Sequence, residues 1–384
     1  MNKVRFGIIG MGNIGKFHAD YLLQGKVRRG ELSAVCSRHA ADLGKYQPAR
    51  IFNDPLELLR SDAVDAVIIA TPHPLHAALG IAAFEHGRHV LVEKPIASHK
   101  ADAERLLAAH QKHPRLVFGG MFQMRTEPRY QEIRARLQRG ELGELVRVNW
   151  TNTDWFRTEA YYNSSEWRAT WKGEGGGVLL NQCLHNLDTL QWLCGLPASV
   201  RGFCQFGRFH QIEVEDSVTA FWTWPNGATG TFVCSTGEAP GINRLEIVGR
   251  FGTLVLENNQ LQFTKNAVDM TEFSRTATQG FTKPESVREE LPVENAVLPH
   301  AQITQNFVDA ILEGSPLIAP GAEGLHSVEL ANAMVFSSLL DRTLPLPMDS
   351  SAWEQKLAQL IADSKVRKQV SKTGTDDFAG SFRK

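Results

Sequence analysis

The stretch that decides the fold lies at residues 4–15 and reads Val-Arg-Phe-Gly-Ile-Ile-Gly-Met-Gly-Asn-Ile-Gly. An apolar run ends there in a turn with the spacing G-x-G-x-x-G, and a helix-compatible segment follows over residues 16–24. The first glycine permits a tight strand-to-helix turn, the second lets a pyrophosphate approach the backbone, and the third allows the helix to pack closely on the strand. Because a strand precedes the turn and a helix follows it, the motif predicts a dinucleotide site, with a purely structural turn as the alternative. The predicted cofactor contacts in this turn are Gly10, Gly12, Asn13, Ile14 and Gly15.

Length and composition narrow the class of protein. A chain of 384 residues exceeds what one hydrophobic core usually supports, so two domains are expected. The net charge of -1 argues against a nucleic-acid partner, and no apolar run approaches the length of a membrane span. The chain enters a strand almost at once, which leaves no room for a signal peptide. Five cysteines without C-x-x-C spacing predict reduced thiols in a cytoplasmic protein, with neither disulfides nor a metal site.

Residues 1–123 alternate short apolar runs with amphipathic stretches. Continuous apolar strands separated by helices are typical of a parallel sheet covered on both faces. The pattern therefore predicts an α/β fold, a doubly wound Rossmann domain that binds the dinucleotide. After the first strand, further strands are expected at residues 31–36, 66–70, 89–92 and 116–120, with helices over 74–86 and 99–110.

The sequence pattern of residues 124–370 predicts an α+β domain with a large, mostly antiparallel open sheet. Asn226-Gly227 suits a hairpin because both residues tolerate positive φ. A sheet face rich in Trp and Phe predicts assembly into a homodimer or homotetramer. Residues 371–384 are polar and are expected to form a loosely ordered tail. Strands are predicted at residues 144–150, 218–224, 230–235, 244–248 and 253–257, and helices at 299–313 and 323–340.

The end of the second strand bears on the choice of nucleotide. An acidic residue there would bond the ribose 2′-hydroxyl of NAD, but this chain has Ser37 and Arg38. A hydroxyl and a guanidinium suit a 2′-phosphate, which favours NADP. The alternative is that Arg38 stacks on the adenine, which NAD and NADP share, so that NAD is also compatible with this sequence.

The carboxyl ends of the next two strands also carry polar residues, at the edge where open α/β sheets bind ligands. Thr71 and Pro72 are expected to line the nucleotide, and His76 either faces it or lies in solvent at the helix end. Lys94 ends the following strand, where its ammonium could donate to a substrate hydroxyl and stabilise a developing alkoxide. A strand-end lysine that points into water is the alternative.

The strongest signal of the second domain is a glycine run at residues 175–177 that leads into a predicted helix. Asn181, His185 and Asp188 fall on one stripe of that helix. A histidine on a largely apolar helix is placed to exchange protons, and Asp188 could orient its ring or cap a neighbouring element. A buried structural histidine is the alternative.

An aromatic and charged segment over residues 152–171 precedes the glycine run. Aromatic rings stack on the C–H faces of sugars while charged groups bond their hydroxyls. The segment therefore predicts substrate contacts, although its tryptophans could instead pack against the sheet or a second subunit. The candidate substrate-binding residues here are Trp155, Arg157, Tyr161, Tyr162, Trp167 and Arg168.

Together these motifs resemble one family, the glucose–fructose oxidoreductase / inositol dehydrogenase (Gfo/Idh/MocA) family. The glycine turn, Ala70-Thr71-Pro72 with His76, and Glu93-Lys94-Pro95 are similar in order and spacing to its nucleotide domain. The segment at residues 125–128 resembles the Arg-Phe-Asp-Pro that follows that domain, and the glycine run with His185 resembles the family's active-site helix. The resemblance spans almost the whole chain.

The resemblance implies an NAD(P)-dependent oxidoreductase with Lys94 and His185 as its catalytic pair. It also implies Glu93, Lys94 and Gln123 as cofactor-binding residues and Arg125 as a substrate-binding residue. The family usually has an aspartate four residues before the histidine, where this chain has Asn181. Since an amide carries neither a proton nor a negative charge, His185 is left as the acid/base, with Lys94 and Asn181 holding the substrate oxygen.

The expected substrate is a secondary alcohol or ketone of a sugar, anhydrosugar or cyclitol, oxidised or reduced by hydride transfer. A nucleotide-binding regulator of the same fold that has lost turnover is one alternative, favoured by Asn181. A reductase of another small carbonyl metabolite is the other. The intact Lys94 and His185 argue for an enzyme.

Overall fold

The computed structural model describes residues 2–38, 43–293, 297–368 and 370. Its first sheet is parallel throughout, in the order β3-β2-β1-β4-β5-β6, which is the doubly wound arrangement that the sequence predicts. The sequence pattern does not predict strand β3, which is a short edge strand without a buried residue. The strands are β1 (Val4–Ile9), β2 (Gly30–Cys36), β3 (Arg50–Phe52), β4 (Ala66–Ile69), β5 (His89–Val92) and β6 (Phe118–Gly120).

Helices follow the strands of this sheet, as right-handed crossover connections between parallel strands require. The central strands are covered on both faces, so the side chains of residues 66–69 are fully buried. The tight strand-to-helix turns leave the carboxyl ends of β1, β4 and β5 at one edge. The helices are α1 (Asn13–Leu23), α2 (Pro55–Arg60), α3 (His76–Glu85) and α4 (Lys100–Gln111).

The second sheet has nine strands in the order β14-β13-β12-β11-β7-β10-β9-β8-β15. Neighbouring strands are antiparallel except β7 and β10, which run parallel. The predicted hairpin at residues 226–227 joins β9 to β10, and Gly227 has a φ of 84°. The strands are β7 (Leu145–Asn152), β8 (Ser199–Phe206), β9 (Glu215–Thr223), β10 (Thr229–Ser235), β11 (Asn243–Gly249), β12 (Gly252–Glu257), β13 (Gln260–Asn266), β14 (Ser286–Leu291) and β15 (Leu344–Pro345).

The two faces of this sheet differ from the prediction in one respect. Trp150 and Trp222 are fully buried, so the tryptophans belong to the covered face. Phe203 and Phe221 alternate with buried neighbours and are 55% and 45% exposed. The exposed face is therefore marked by phenylalanine and not by tryptophan, and the predicted oligomer contact through it stays a prediction.

The remaining helices follow β6 in the chain and lie before, between or after the strands of the second sheet. They are α5 (Pro128–Gln138), α6 (Glu159–Tyr162), α7 (Leu184–Cys194), α8 (Met270–Thr276), α9 (Pro299–Glu313), α10 (Gly324–Leu340) and α11 (Ser350–Asp363). α10 packs on β8 and α7 and also touches α4 of the first domain. The residues of the predicted tail at 371–384 lie outside the described residues.

One helix returns to the first sheet, which the predicted division at residues 123 and 124 does not anticipate. α9 packs against β1, where the rings of Phe6 and Phe307 lie 6.2 Å apart. The hydroxyls of Tyr21 and Thr304 are 2.7 Å apart, and Ala319 accepts a hydrogen bond from the backbone of Gly120 at the end of β6. Residues 299–320 therefore complete the nucleotide half of the molecule.

The described residues bear on three further expectations. All five cysteines lie among them and are free thiols. Within these ranges no group of three or more histidine, cysteine, aspartate or glutamate side chains is arranged to hold a metal ion. No helix there has the length and apolar character needed to cross a bilayer.

Candidate active site

The glycine turn between β1 and α1 is built as its spacing predicts. Gly10 has a φ of 99°, and a Cβ there would lie 2.6 Å from the carbonyl oxygen of Ala70. A Cβ on Gly15 would lie 1.9 Å from the carbonyl oxygen of Gly10, so only glycine permits this approach of helix and strand. A Cβ on Gly12 would meet no atom within 4 Å. The turn thus leaves an open space at the amino end of α1, where unpaired N–H groups suit a pyrophosphate.

Ser37 and Arg38 lie beside this turn, directly after β2. The backbone of Gly10 donates a hydrogen bond to the carbonyl of Cys36, which brings the end of β2 to the glycines. Ser37 donates its own N–H to Phe52 on β3, and Arg38 is exposed. The pair lies at the edge where the adenosine ribose of a dinucleotide would bind, and its preference for NADP stays a prediction.

The turn after β4 corrects the expectation for His76. This histidine is 1% exposed, and its two ring nitrogens lie 2.7 Å from the carbonyl oxygens of Thr71 and Pro95. It does not lie in solvent at the helix end; both of its ring nitrogens are used to join the turn after β4 to the turn after β5. Thr71 keeps a buried Oγ1 that has no hydrogen-bond partner among the described residues.

Lys94, at the end of β5, reaches across to the second domain. Its Nζ donates a hydrogen bond of 2.7 Å to the backbone oxygen of Asn181. Burial lowers the pKa of Lys94, while the charges of Glu93 and Glu174 oppose that shift. The ammonium is therefore neither a solvated surface group nor part of a direct ion pair.

Glu93 accepts hydrogen bonds from within the protein, and the cofactor contact that the resemblance implies stays a prediction. Its Oε1 lies 2.7 Å from Nε2 of His18, and Oε2 accepts the N–H of Lys94 at 3.2 Å. Burial alone would raise the pKa of Glu93, but the hydrogen bond and charge of His18 lower it to about 2. His18 lies on α1, three residues after Gly15, so this contact ties the glycine turn to Lys94. Sequence reasoning missed His18, although its place on the inner face of α1 was a usable signal.

A second buried histidine next to this pair predicts sensitivity to acid. The rings of His18 and His300 are 6.0 Å apart, and burial lowers the pKa of His300 to about 3. The unfolded chain takes up this proton near pH 6.5 while the folded chain does not, so the free energy of unfolding should fall as the pH drops below that value. We expect a loss of about 1.4 kcal/mol per pH unit from this one group between pH 5.5 and 4.

Urea unfolding of the wild type and His300→Gln at successive pH values measures this loss. The pH dependence of the variant should be shallower by the contribution of one proton. Equal slopes for the two proteins over this range would show that His300 is not held neutral.

His185 lies in the first turn of α7, in contact with the segment that follows β6. Its Nε2 is 3.1 Å from Nε2 of Gln123, and its buried Nδ1 has no partner among the described residues. Burial and the charge of Lys94 lower the pKa of His185 well below its usual range, so the ring is neutral and able to accept a proton. Gln123, predicted to bind the cofactor, contacts the histidine and keeps a buried, unpartnered Oε1.

Two expectations for the surrounding helix are wrong. α7 begins at Leu184, so Asn181 precedes it and lies in a turn. Asp188 does not orient His185, because both of its carboxylate oxygens are bound to Arg125. The glycine run packs against β9: a Cβ on Gly177 would lie 2.0 Å from the carbonyl oxygen of Glu215.

Arg125 is also placed differently from the prediction of substrate contact. Its side chain is fully buried, with Nε and Nη2 donating to Asp188 at 2.8 and 2.7 Å. Nη1 donates to the carbonyl of Ile318 and to Glu323. The guanidinium therefore joins three parts of the chain and is withdrawn from any substrate.

Five candidate side chains of the aromatic segment are half-buried and one is buried, and the substrate contacts of the five stay predictions. Arg168 donates to the hydroxyl of Tyr161 at 2.7 Å, and the ring of Trp167 lies 5.8 Å from that of His73 in the turn after β4. Tyr162, in contrast, is buried and its hydroxyl is 2.8 Å from that of Thr236, so its predicted substrate contact is wrong. The guanidinium of Arg157 lies 5.3 Å from the ring of Trp155 and 5.1 Å from that of Tyr161.

Glu174 is a buried carboxylate that sequence reasoning missed. It accepts a hydrogen bond from Nδ2 of Asn181 and another, of 2.5 Å, from the backbone of Ala169. A single glutamate before a glycine run carries no periodic or motif signal, so only the folded chain reveals the contact.

The candidate site therefore has an incomplete set of hydrogen bonds where the ends of β4 and β5 meet the segment that leads into α7. Thr71 Oγ1, Gln123 Oε1 and His185 Nδ1 are buried atoms without partners among the described residues. Buried polar atoms are rarely left in this state, so these three atoms are free to bind a ligand. Together with the open glycine turn, they fit a dinucleotide and a small polar molecule.

Comparison with known proteins agrees with this geometry. Residues 4–121 match the oxidoreductase family with an NAD-binding Rossmann fold, and residues 130–255 match the GFO/IDH/MocA C-terminal domain. Inositol 2-dehydrogenase of Rubrobacter xylanophilus is 28% identical over 97% of this chain and 98% of its own length. The WlbA dehydrogenase of Bordetella pertussis, solved with NADH and UDP-GlcNAcA, is 26% identical and superposes with a TM-score of 0.75 over 90% of this chain and 100% of its own. Levoglucosan dehydrogenase, solved with NADH and levoglucosan, shares the fold at 21% identity, with a TM-score of 0.73 over 90% of this chain and 100% of its own.

Proposed function

Because the chain belongs to the Gfo/Idh/MocA family of oxidoreductases, we propose that it transfers a hydride between a nicotinamide cofactor and a secondary alcohol or ketone of a sugar, anhydrosugar or cyclitol. Two relatives that support this proposal are named as inositol dehydrogenases, and one structural neighbour is named as a levoglucosan dehydrogenase. NADP is the favoured cofactor on the chemistry of Ser37 and Arg38, although the neighbours described above bind NADH.

One observation carries the proposal: Lys94, at the end of β5, makes its hydrogen bond to the segment that leads into α7, the helix on which His185 lies. Nζ of Lys94 donates a hydrogen bond to the backbone oxygen of Asn181, four residues before His185. The charge of Lys94 also contributes to the lowered pKa of His185. A cation and a neutral imidazole side by side are what alcohol oxidation needs, since one stabilises an alkoxide and the other accepts a proton.

Different residues of this chain carry out the proton transfer, the binding of the reacting oxygen and the binding of the sugar. Hydride transfer at C4 is the chemistry that a nicotinamide supplies when it is bound. His185 takes the hydroxyl proton of the carbinol, and in the reverse direction it protonates the new alkoxide. Lys94 donates a hydrogen bond to the reacting oxygen. Tyr161, Trp167 and Arg168 contact the rest of the sugar ring; the aromatic and charged character of these side chains and the contact of Trp167 with the turn after β4 support this.

A catalytically silent regulator of the same fold is the second candidate, and Asn181 is the observation that favours it. An assay of cyclitols, hexoses and anhydrosugars with NAD and with NADP, followed by the absorbance of the reduced nicotinamide, separates the two. We expect turnover of at least one polyol, with a higher kcat/KM for NADP. Nucleotide binding without any redox change on the whole panel, in either direction, would favour the regulator.

A further inference from the structure

A buried carboxylate lies beside Asn181 that this chemistry does not use. Glu174 is 1% exposed and directly precedes the glycine run. One carboxylate oxygen accepts the Asn181 side-chain amide, and Oε2 accepts the backbone N–H of Ala169. Both partners are donors, so the carboxylate is held as an acceptor at two fixed points.

This contact decides which end of the Asn181 amide is available. Nδ2 is directed at Glu174, whereas Oδ1 accepts no hydrogen bond from any of the described residues. The side chain of Asn181 is only partly buried, and Lys94 is anchored to its backbone oxygen. The site thus offers an acceptor oxygen next to the lysine donor.

We propose that Glu174 is a positioning residue that holds the Asn181 amide with Oδ1 toward the substrate, where it accepts a hydrogen bond from a second hydroxyl beside the reacting carbinol. The assignment rests on the proposed function and makes it narrower. It also changes the expected role of Asn181, because an acceptor oxygen would repel the alkoxide that forms at the reacting carbon. A neighbouring hydroxyl supplies the donor that Oδ1 needs, so the substrate class is a vicinal diol within a polyol.

Substituting the two residues tests the direction of the amide. In Glu174→Gln, the N–H of Ala169 still requires an oxygen, so the new amide nitrogen faces Asn181 and the Asn181 amide has to rotate. In Asn181→Asp, two carboxylates meet at hydrogen-bonding distance and repel each other. The double variant Glu174→Gln/Asn181→Asp restores one donor and one acceptor in the reverse order, with an oxygen again toward the substrate.

Steady-state kinetics of the holoenzyme with myo-inositol, D-glucose or levoglucosan, whichever gives the highest turnover, supplies the readout. Glu174→Gln should raise KM about 10-fold with kcat changed less than about 3-fold, because binding is lost equally in the ground and transition states. Asn181→Asp should also raise KM, and the double variant should return it to within about 3-fold of wild type. NADH affinity should be unchanged in all three.

Glu213→Gln is the matched control. Glu213 accepts a hydrogen bond from the backbone N–H of Trp171 in the same segment and does not contact Asn181. Its KM should stay at the wild-type value. An unchanged KM in Glu174→Gln, an equal rise in Glu213→Gln, or a double variant no better than the single ones would overturn the assignment. Absence of polyol turnover in the wild type would instead overturn the proposed function, and this assignment with it.

Discussion

Replacing Lys94 with alanine is expected to lower kcat about 10²–10³-fold, the usual effect of removing one donor that stabilises a developing oxyanion. NADH affinity should change little, because the glycine turn and the end of β2 are untouched. Lys94→Met keeps most of the length of the side chain and removes only the charged donor, so it should lose as much activity as Lys94→Ala. Pre-steady-state and steady-state turnover of the polyol identified in the assay measure the effect.

The partner variant His185→Gln should lose about 10²–10⁴-fold, the range of a general base. If the two residues act on one transition state, the double variant should be little worse than the poorer single variant, since catalytic groups that work as a unit are not additive. Lys112→Ala removes an exposed lysine on the same domain and should leave kcat unchanged. Wild-type turnover in Lys94→Ala, or fully additive losses in the double variant, would contradict the shared role.

The nucleotide half could be predicted from the sequence because its signals are local. The glycine spacing requires three different backbone conditions within six residues, and the structure meets each of them. The positions of Lys94 after β5 and of His185 on α7 were also predictable, since each belongs to a motif with its own secondary-structure context, while their catalytic roles stay predictions. Helix α9 shows the limit of such signals: its bounds were predicted correctly, but periodicity reveals only that one face is apolar, and not which sheet that face covers.

The misplaced side chains share a physical reason. Arg125 and Asp188 are separated by 63 residues; the resemblance implied a substrate contact for Arg125, and Asp188 was expected to orient His185 or cap a neighbouring element. A charged residue near a site binds either the ligand or another charge of the protein, and only the folded chain decides between them. His76 and Tyr162 were misplaced in the same way, since each is bound by a partner from another part of the chain.

Removing the guanidinium of Arg125 is expected to destabilise the protein more than any surface substitution. Asp188 is 1% exposed, and in Arg125→Met its carboxylate would stay buried without a cation. The loss of one partner of a buried pair costs about 3–5 kcal/mol. Arg29→Met breaks the exposed pair with Glu313 and should cost less than about 1 kcal/mol. Urea unfolding of the three proteins measures the difference.

The double variant Arg125→Met/Asp188→Leu separates this account from a role in substrate binding. Replacing both charges by apolar side chains removes the uncompensated carboxylate, so much of the lost stability should return. KM for the polyol should be close to wild type in the double variant, because the guanidinium is withdrawn from the candidate site. A large rise in KM with unchanged unfolding in Arg125→Met would reverse the conclusion and restore Arg125 to the substrate site.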